Sequence, residues 1–159
     1  MVQHDVKIRH IWTVLCQRSL IDIDSNNISL IDVIEQISMS APTPSEQQSK
    51  GQIQVGTVPF NFEVVSLWSR AEESQPALGQ CRVTLLSPSG PLGEANHVPV
   101  DLRKYERTRI RQRFGGLSVS KAGQYFFRVE YRDDGETEWC EVGAIPFKVI
   151  IESALEKKP

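Results

Sequence analysis

Residues 121–131 read KAGQYFFRVEY, and the fold prediction starts from the pattern of these residues. Tyr125, Phe127, Val129 and Tyr131 occupy every second position, and two of the three residues between them are charged. An alternation with a period of two predicts a β-strand that buries one face in a hydrophobic core. The next residues, RDDGE, contain an Asp-Gly pair, which favours the tight turn of a β-hairpin.

Similar strand signals recur along the chain, separated by clusters of turn-forming residues. Strands are predicted within residues 6–16, 28–37, 58–70, 80–88, 97–102, 107–114, 123–131 and 137–152. The apolar residues of 28–37 also fit one face of a helix, but their β-branched side chains favour a strand. In residues 6–16 the even positions are mostly apolar and are predicted to face the core. Pro99 and Pro146 indicate sheet edges or bulges.

Seven to nine short strands without a convincing βαβ unit predict an all-β sandwich or barrel. Gly123 and Tyr125 favour an immunoglobulin-like antiparallel β-sandwich, because a Gly-x-Tyr sequence opens the penultimate strand of such domains. The tyrosine hydroxyl there bonds back to the backbone across a corner. Tyr125 also fits an ordinary tyrosine at the edge of a core. Phe127 stands where antibody domains have a cysteine.

The composition indicates one ordinary globular domain. The chain has 159 residues, of which 40% are hydrophobic and 24% charged, and its net charge is −2. A negative chain does not favour nucleic acid or anionic membranes overall, so any basic site has to be local. Three cysteines in apolar runs, no secretory signal sequence and no long apolar run predict a cytoplasmic protein in a reducing compartment. The cysteines are Cys16, Cys81 and Cys140.

One segment differs from the rest in composition. Residues 38–54, SMSAPTPSEQQSKGQIQ, are rich in Ser, Pro and Gln and cannot bury enough apolar surface to offset the entropy of ordering. We expect a mobile loop at 38–54 within a single domain that covers residues 1–152. Residues 153–159 form a polar tail that is expected to fray.

The first third of the chain contains Leu15-Cys16, Asn26-Asn27, Ser29-Leu30-Ile31, Val33 and Ile37. In these residues it resembles an uncharacterised bacterial family of β-sandwich proteins. The later stretches RVTLLSPSG, GQYFFRVEYRDDG and IPFKVI are similar to later strands of that family. The resemblance implies a β-sandwich in the bacterial cytoplasm. It implies no activity, no cofactor and no catalytic residues.

The most unusual stretch is RTRIRQRF, residues 107–114. On a strand, its four arginines share one face, while Thr108, Ile110, Gln112 and Phe114 share the other. Arg103 and Lys104 lie just upstream. The candidate contact residues are Arg103, Arg107, Arg109, Arg111 and Arg113.

Three interpretations of the arginine row stay open. It can be a solvated face whose charges are met by Glu72, Glu73, Asp133, Asp134 and Glu136. It can contact an acidic protein, since guanidinium groups suit carboxylates and phosphates alike. It can also bind nucleic acid, because side chains on one strand face repeat at about 6.6–6.8 Å, close to the phosphate repeat of a stretched strand.

Other chemistries have weaker signals. Residues 22–27, DIDSNN, begin like a calcium loop, but Asn27 and Val33 stand at the positions of its glycine and bidentate glutamate, so a hairpin turn is predicted. His4, His10 and His97 have no partner at metal-ligand spacing and are expected in the core or at an edge. No nucleophile elbow or phosphate-binding loop occurs. We therefore expect no metal and no cofactor.

These observations favour a non-catalytic protein-interaction module, which is either one component of a bacterial multi-protein assembly or a self-associating protein. The alternative is a nucleic-acid-binding protein that uses residues 103–113. A hydrolase or transferase is the third hypothesis, and it requires a concave polar pocket.

Overall fold

The computed structural model describes residues 6–40 and 56–152. Eleven strands make up this part of the chain: β1 Ile8–Ile21, β2 Ile28–Val33, β3 Gln36–Ser40, β4 Gly56–Val58, β5 Phe62–Arg70, β6 Ala77–Ser87, β7 Gly90–Leu102, β8 Arg107–Phe114, β9 Leu117–Val119, β10 Gly123–Asp133 and β11 Cys140–Glu152. No helix occurs in these residues, so the all-β prediction is confirmed. The apolar run 28–37 is β-structure and not a helix, as its β-branched composition predicted. The prediction of a single strand is wrong, because the chain bends at residues 34–35, between β2 and β3, which belong to different sheets.

The strands form the two layers of an immunoglobulin-like sandwich. One sheet has the order β2-β1-β5-β8, and the other has the order β3-β11-β10-β6-β7. The short strands β4 and β9 form a separate two-stranded sheet. Every neighbouring pair is antiparallel except β3 and β11, which run parallel. The first forty residues therefore contribute strands to both sheets.

Aromatic side chains fill the space between the two sheets. Trp68 of β5 and Tyr125 of β10 are fully buried, and so is Phe147 of β11 except for 1% of its surface. Phe62, Phe114, Phe127 and Phe147 contact one another in a chain, with ring centroids 5.0–5.8 Å apart. These residues come from alternating positions on facing strands, which is how a sandwich core is built.

The predicted tyrosine corner is confirmed. The hydroxyl of Tyr125 donates to the carbonyl of Lys121 at 2.7 Å and accepts from the backbone N–H groups of Ser120 and Lys121 at 3.1 and 3.2 Å. Gly123, between them, has φ of +143°, and a Cβ there would come within 2.9 Å of Pro88. Glycine is therefore required at this turn by both conformation and space.

The prediction for the first strand is only half right. The register of β1 against β5 shifts between His10 and Trp12, so Ile11 is the extra residue of a β-bulge. Before the bulge Ile8 and His10 face the core, and after it Leu15 does. Because a bulge reverses the parity of a strand, Trp12, Val14 and Cys16 lie on the opposite, outer face.

Of the predictions for Pro99, for Pro146 and for the long loop, only the first is fully confirmed. Pro99 lies on β7, an edge strand, as predicted. Pro146 lies on β11, which is not an edge, but the pairing with β3 begins only at Lys148. Residues 38–40 end β3 instead of starting a loop, because they pair with β11. The remainder of the predicted loop and the tail 153–159 lie outside the described residues.

The predicted turn after β10 is present, with Gly135 at φ of +85°. Within residues 6–40 and 56–152, no helix is long and apolar enough to cross a membrane.

Candidate binding face

β8 is an edge strand of the four-stranded sheet. Its arginine row lies on the outer face of this sheet, which points away from the second sheet. Arg107, Arg111 and Arg113 are exposed and Arg109 is partly exposed, whereas Ile110 and Gln112 between them are buried. The predicted division of the two faces is therefore confirmed. We call the outer surface of this sheet, with its four arginines, the arginine face.

Arg103 does not belong to this row. It lies in the turn before β8, where its guanidinium donates to both carboxylate oxygens of Asp101 at 3.0 and 2.7 Å. The hydrogen bonds from Arg103 lower the pKa of Asp101 to about 2. Arg103 is thus engaged locally, and the candidate contact residues reduce to four.

The hairpin formed by β1 and β2 folds back over the arginine face. β1 pairs with β5 only as far as Cys16, and from Cys16 to Ile21 it pairs with β2. If β1 continued straight, Ile21 would lie about 17 Å beyond Cys16. Instead, Ser19 N–H donates to the carboxylate of Glu63 at 3.1 Å, and Arg109 donates to the backbone carbonyl of Asn26 at the tip. We call residues 17–33 the folded-back hairpin.

Glu63 anchors the base of this hairpin. Its side chain is 8% exposed and accepts hydrogen bonds from the N–H and hydroxyl of Ser19 and from Nε of Arg113 at 3.0 Å. Burial alone would raise the pKa of Glu63, but the hydrogen bonds from Ser19 and Arg113 lower it below its usual value. The carboxylate is therefore held ionised between the four-stranded sheet and the folded-back hairpin.

The acidic partners predicted for the row are wrong. Within the described ranges, no salt bridge joins the arginines to Glu72, Glu73, Asp133, Asp134 or Glu136. Glu63 takes that place because it lies directly opposite Arg113 in the β5–β8 register. A single acid inside the apolar run FNFEVVSLW was the signal for it, since buried acids need a partner.

A buried apolar stripe lies beneath the folded-back hairpin. Val65 pairs with Val14 on one side and Arg111 on the other, so it shares their outer face, and Cys16 lies opposite Glu63 on that face. Val65 and Cys16 are nevertheless fully buried. Burial and the neighbouring Glu63 raise the pKa of the Cys16 thiol, which keeps it protonated and unreactive.

Two grooves lie where the hairpin meets the sheet. The tip groove, of about 670 Å³, lies between Trp12 and Leu67 on the sheet and Ile21 and Ile28 on the hairpin, with Arg107 and Arg109 among its lining residues. The base groove, of about 860 Å³, is more polar and contains Glu63 and Arg113. Neither groove could be predicted from the sequence, because both depend on the direction in which the hairpin folds.

The hairpin turn itself matches its prediction. Asp22 accepts hydrogen bonds from the N–H and hydroxyl of Ser25 at 2.7 and 2.9 Å, and Asn26 has φ of +55°. These contacts are those of an Asx-type turn, so the carboxylate is occupied within the turn.

The two described histidines take structural positions, as expected. His10 stacks edge-on against Trp68, and its Nε2 lies 2.6 Å from the hydroxyl of Thr13. His97 contacts Trp139 at an edge strand. His4 lies outside the described residues. In the described part of the chain no group of three His, Cys, Asp or Glu residues could hold a metal ion.

A second cationic cluster, on the other sheet, was missed by the sequence reasoning. The guanidinium groups of Arg82 and Arg132 lie 4.4 and 4.5 Å from the ring of Trp139, and Arg82 also donates to both carboxylate oxygens of Glu130. Cation–π contacts and this bidentate pair satisfy the cluster internally. It therefore offers less unpaired charge than the arginine face.

Comparisons with known proteins add little to this picture. No family model and no curated protein matches the chain, which is consistent with the resemblance to an uncharacterised family. One similar solved structure is a beta-glucosidase from Listeria innocua in complex with glucose, at 13% identity and a TM-score of 0.41. The match covers 61% of this chain and only 16% of that one. A likeness this distant carries no information about function.

Proposed function

We propose that this immunoglobulin-like sandwich is a non-catalytic module that binds a protein partner through its arginine face. The observation that supports it most is the exposure of Arg107 and Arg111. Neither makes a salt bridge with the described residues, although both share a face with the buried Glu63. The guanidinium groups of Arg107 and Arg111 can each donate two hydrogen bonds to a carboxylate of a partner.

The apolar surface beside these arginines favours a protein over a nucleic acid. On the folded-back hairpin Ile23 is 95% exposed, and Leu20 and Ile21 are 48% and 39% exposed. Exposed apolar residues near exposed charges are typical of protein–protein interfaces. A phosphate backbone has no apolar surface that could pack against three aliphatic side chains.

The cellular setting is part of the same proposal. Cys16, Cys81 and Cys140 are all free thiols, and the first two are buried. Free buried thiols suit a reducing compartment, and with the family resemblance they support a component of a multi-protein assembly in the bacterial cytoplasm. Self-association of the chain is included in this proposal.

Site-specific cross-linking tests the proposed function. A photo-reactive amino acid replaces Ile23, and the protein is expressed in the organism that encodes it and irradiated. We expect a discrete cross-linked adduct that disappears in the Arg107→Glu/Arg111→Glu variant. The control variant Lys121→Glu/Lys148→Glu changes the net charge equally at exposed sites away from this face and should keep the adduct. An adduct that survives the arginine variant would contradict the proposal.

Nucleic-acid binding is the second candidate, favoured by the spacing of the arginines. Alternate residues on β8 lie about 6.6–6.8 Å apart, similar to the phosphate repeat of an extended single strand. Titration with a fluorescent oligothymidylate and with an oligouridylate tests it directly. Affinity that falls steeply with salt, and that is lost in Arg107→Glu/Arg111→Glu but not in the lysine control, would favour this candidate over a protein partner.

A further inference from the structure

We infer that the tip groove binds an extended acidic segment of the partner, with one apolar side chain in the groove and flanking carboxylates on the arginines. This inference rests on the proposed function and names the chemistry of the partner. It follows from three features of the groove: its apolar walls, its charged rim and the neutral backbone carbonyl that Arg109 now contacts.

Four of the nine residues that line the tip groove are apolar. Trp12 and Leu67 form the floor, Ile21 and Ile28 form the opposite wall, and all four remain partly or largely accessible. The volume, about 670 Å³, lies within the roughly 300–1,000 Å³ of typical ligand clefts. An aliphatic side chain placed against these walls would remove apolar surface of both partners from water.

The rim of the groove selects negative charge. Arg107 and Arg109 line it, and Arg111 follows on the same face of β8. The partner's carboxylates at every second residue of an extended segment would repeat at about 6.6–6.8 Å, which is the spacing of the three arginines. Cross-matched opposite charges at this spacing fix the register of the bound segment.

The present partner of Arg109 can be exchanged for a carboxylate. Arg109 donates to the neutral backbone carbonyl of Asn26, which belongs to an exposed turn. A carboxylate is a stronger acceptor for a guanidinium group than a carbonyl, and the carbonyl freed by the exchange would be solvated by water. Binding would therefore release the tip of the hairpin from β8 without breaking its anchor at Glu63.

Three synthetic peptides test the inference by NMR titration of the isotopically labelled full chain. The probe is the blocked heptapeptide Glu-Ser-Glu-Leu-Glu-Ser-Glu. One control replaces its leucine with serine, and the other replaces its four glutamates with lysine. We expect the probe to bind at least tenfold more tightly than either control, with shifts at the Trp12 indole and at residues 107–111.

Two variants separate the apolar and the charged contributions. In Ile21→Ser the probe and its serine control should bind equally, because the apolar wall is gone. In Arg107→Glu/Arg111→Glu both acidic peptides should lose binding, whereas Lys121→Glu/Lys148→Glu should bind the probe as the natural chain does. Ile21 is 39% exposed, so its replacement should leave the melting temperature of the fold nearly unchanged.

Several outcomes would overturn the inference. Equal affinity for the probe and the serine control, equal affinity for the lysine peptide, or shifts confined to residues outside the groove would each exclude it. Displacement of the probe by an equal concentration of an oligothymidylate would assign the rim to nucleic acid instead. If cross-linking at Ile23 captures a partner while the probe fails to bind, the proposed function stands and only this inference fails.

Discussion

Ser19 and Glu63 lie 44 residues apart, and the backbone N–H of Ser19 donates to Oε2 of Glu63 at 3.1 Å. This contact joins the folded-back hairpin to the centre of the four-stranded sheet. The hydroxyl of Ser19 donates to the same oxygen, so one carboxylate satisfies two polar groups of a serine that is itself buried. We therefore expect the contact between Ser19 and Glu63 to stabilise the hairpin more than the exposed charges around it do.

Glu63→Ala should lower the free energy of unfolding by about 2–3 kcal/mol, because it leaves buried donors of Ser19 without an acceptor. Arg113→Ala should lower it by less than about 1 kcal/mol, since the Arg113 side chain is 70% exposed. Urea denaturation of both variants measures the difference. Equal losses would show that the salt bridge, and not the contact with Ser19, holds the hairpin in place.

His10 should make stability depend on pH near neutrality. Burial lowers the pKa of His10 below 6.5, so the folded chain binds a proton less readily than the unfolded chain. The free energy of unfolding should therefore fall as pH drops below about 6.5, and this part of the loss should vanish in His10→Gln. Chemical denaturation at intervals between pH 5 and pH 7.5 tests this. An unchanged slope in the variant would assign the pH dependence to other groups.

Tyr125→Phe should destabilise the sandwich by about 1–3 kcal/mol, because the ring still packs but two backbone N–H groups lose their acceptor and a carbonyl loses its donor. The matched control is Tyr105→Phe, which removes a hydroxyl from a side chain that is 69% exposed and should leave stability unchanged. Thermal unfolding followed by circular dichroism compares the two. A loss of similar size in both variants would contradict a structural role for the corner.

Gly79→Ala should lower the free energy of unfolding by about 1–3 kcal/mol, because its Cβ would lie 2.7 Å from Cζ of the Tyr131 ring. Tyr131 is 3% exposed and packs against Trp68, so its ring cannot move aside. Gly115→Ala is the control, since a Cβ there meets only Asn61 at an ordinary 3.8 Å. Denaturant midpoints of the two variants should differ clearly. Equal midpoints would show that the core tolerates the added methyl group.

Features that depend on local sequence were predicted correctly. The outward direction of Arg107, Arg109, Arg111 and Arg113 follows from strand alternation alone. The tyrosine corner follows from the four-residue reach between Tyr125 and Lys121, and the hairpin turn from Asn26. Each of these depends on residues within a few positions of one another, so the sequence pattern contained the required information.

Features that depend on distant pairing were not predictable. The bulge at Ile11 reverses the faces of β1, yet its apolar residues occupy both parities and hide the shift. The charge partner of Arg113 is set by the register of β5 against β8, which no local pattern reveals. The hairpin folds back because Ser19 contacts Glu63. The tip groove depends on this fold-back, which also covers part of the arginine row.

The parallel pairing of β3 with β11 has a consequence for how the chain is made. Residues 36–40 find their hydrogen-bonding partners only in residues 148–152. During synthesis, the strand edge of residues 36–40 stays without its partner until residues 148–152 have left the ribosome. Closing so large a loop is slow compared with forming a hairpin, so completion of the second sheet is expected to be a late event in folding.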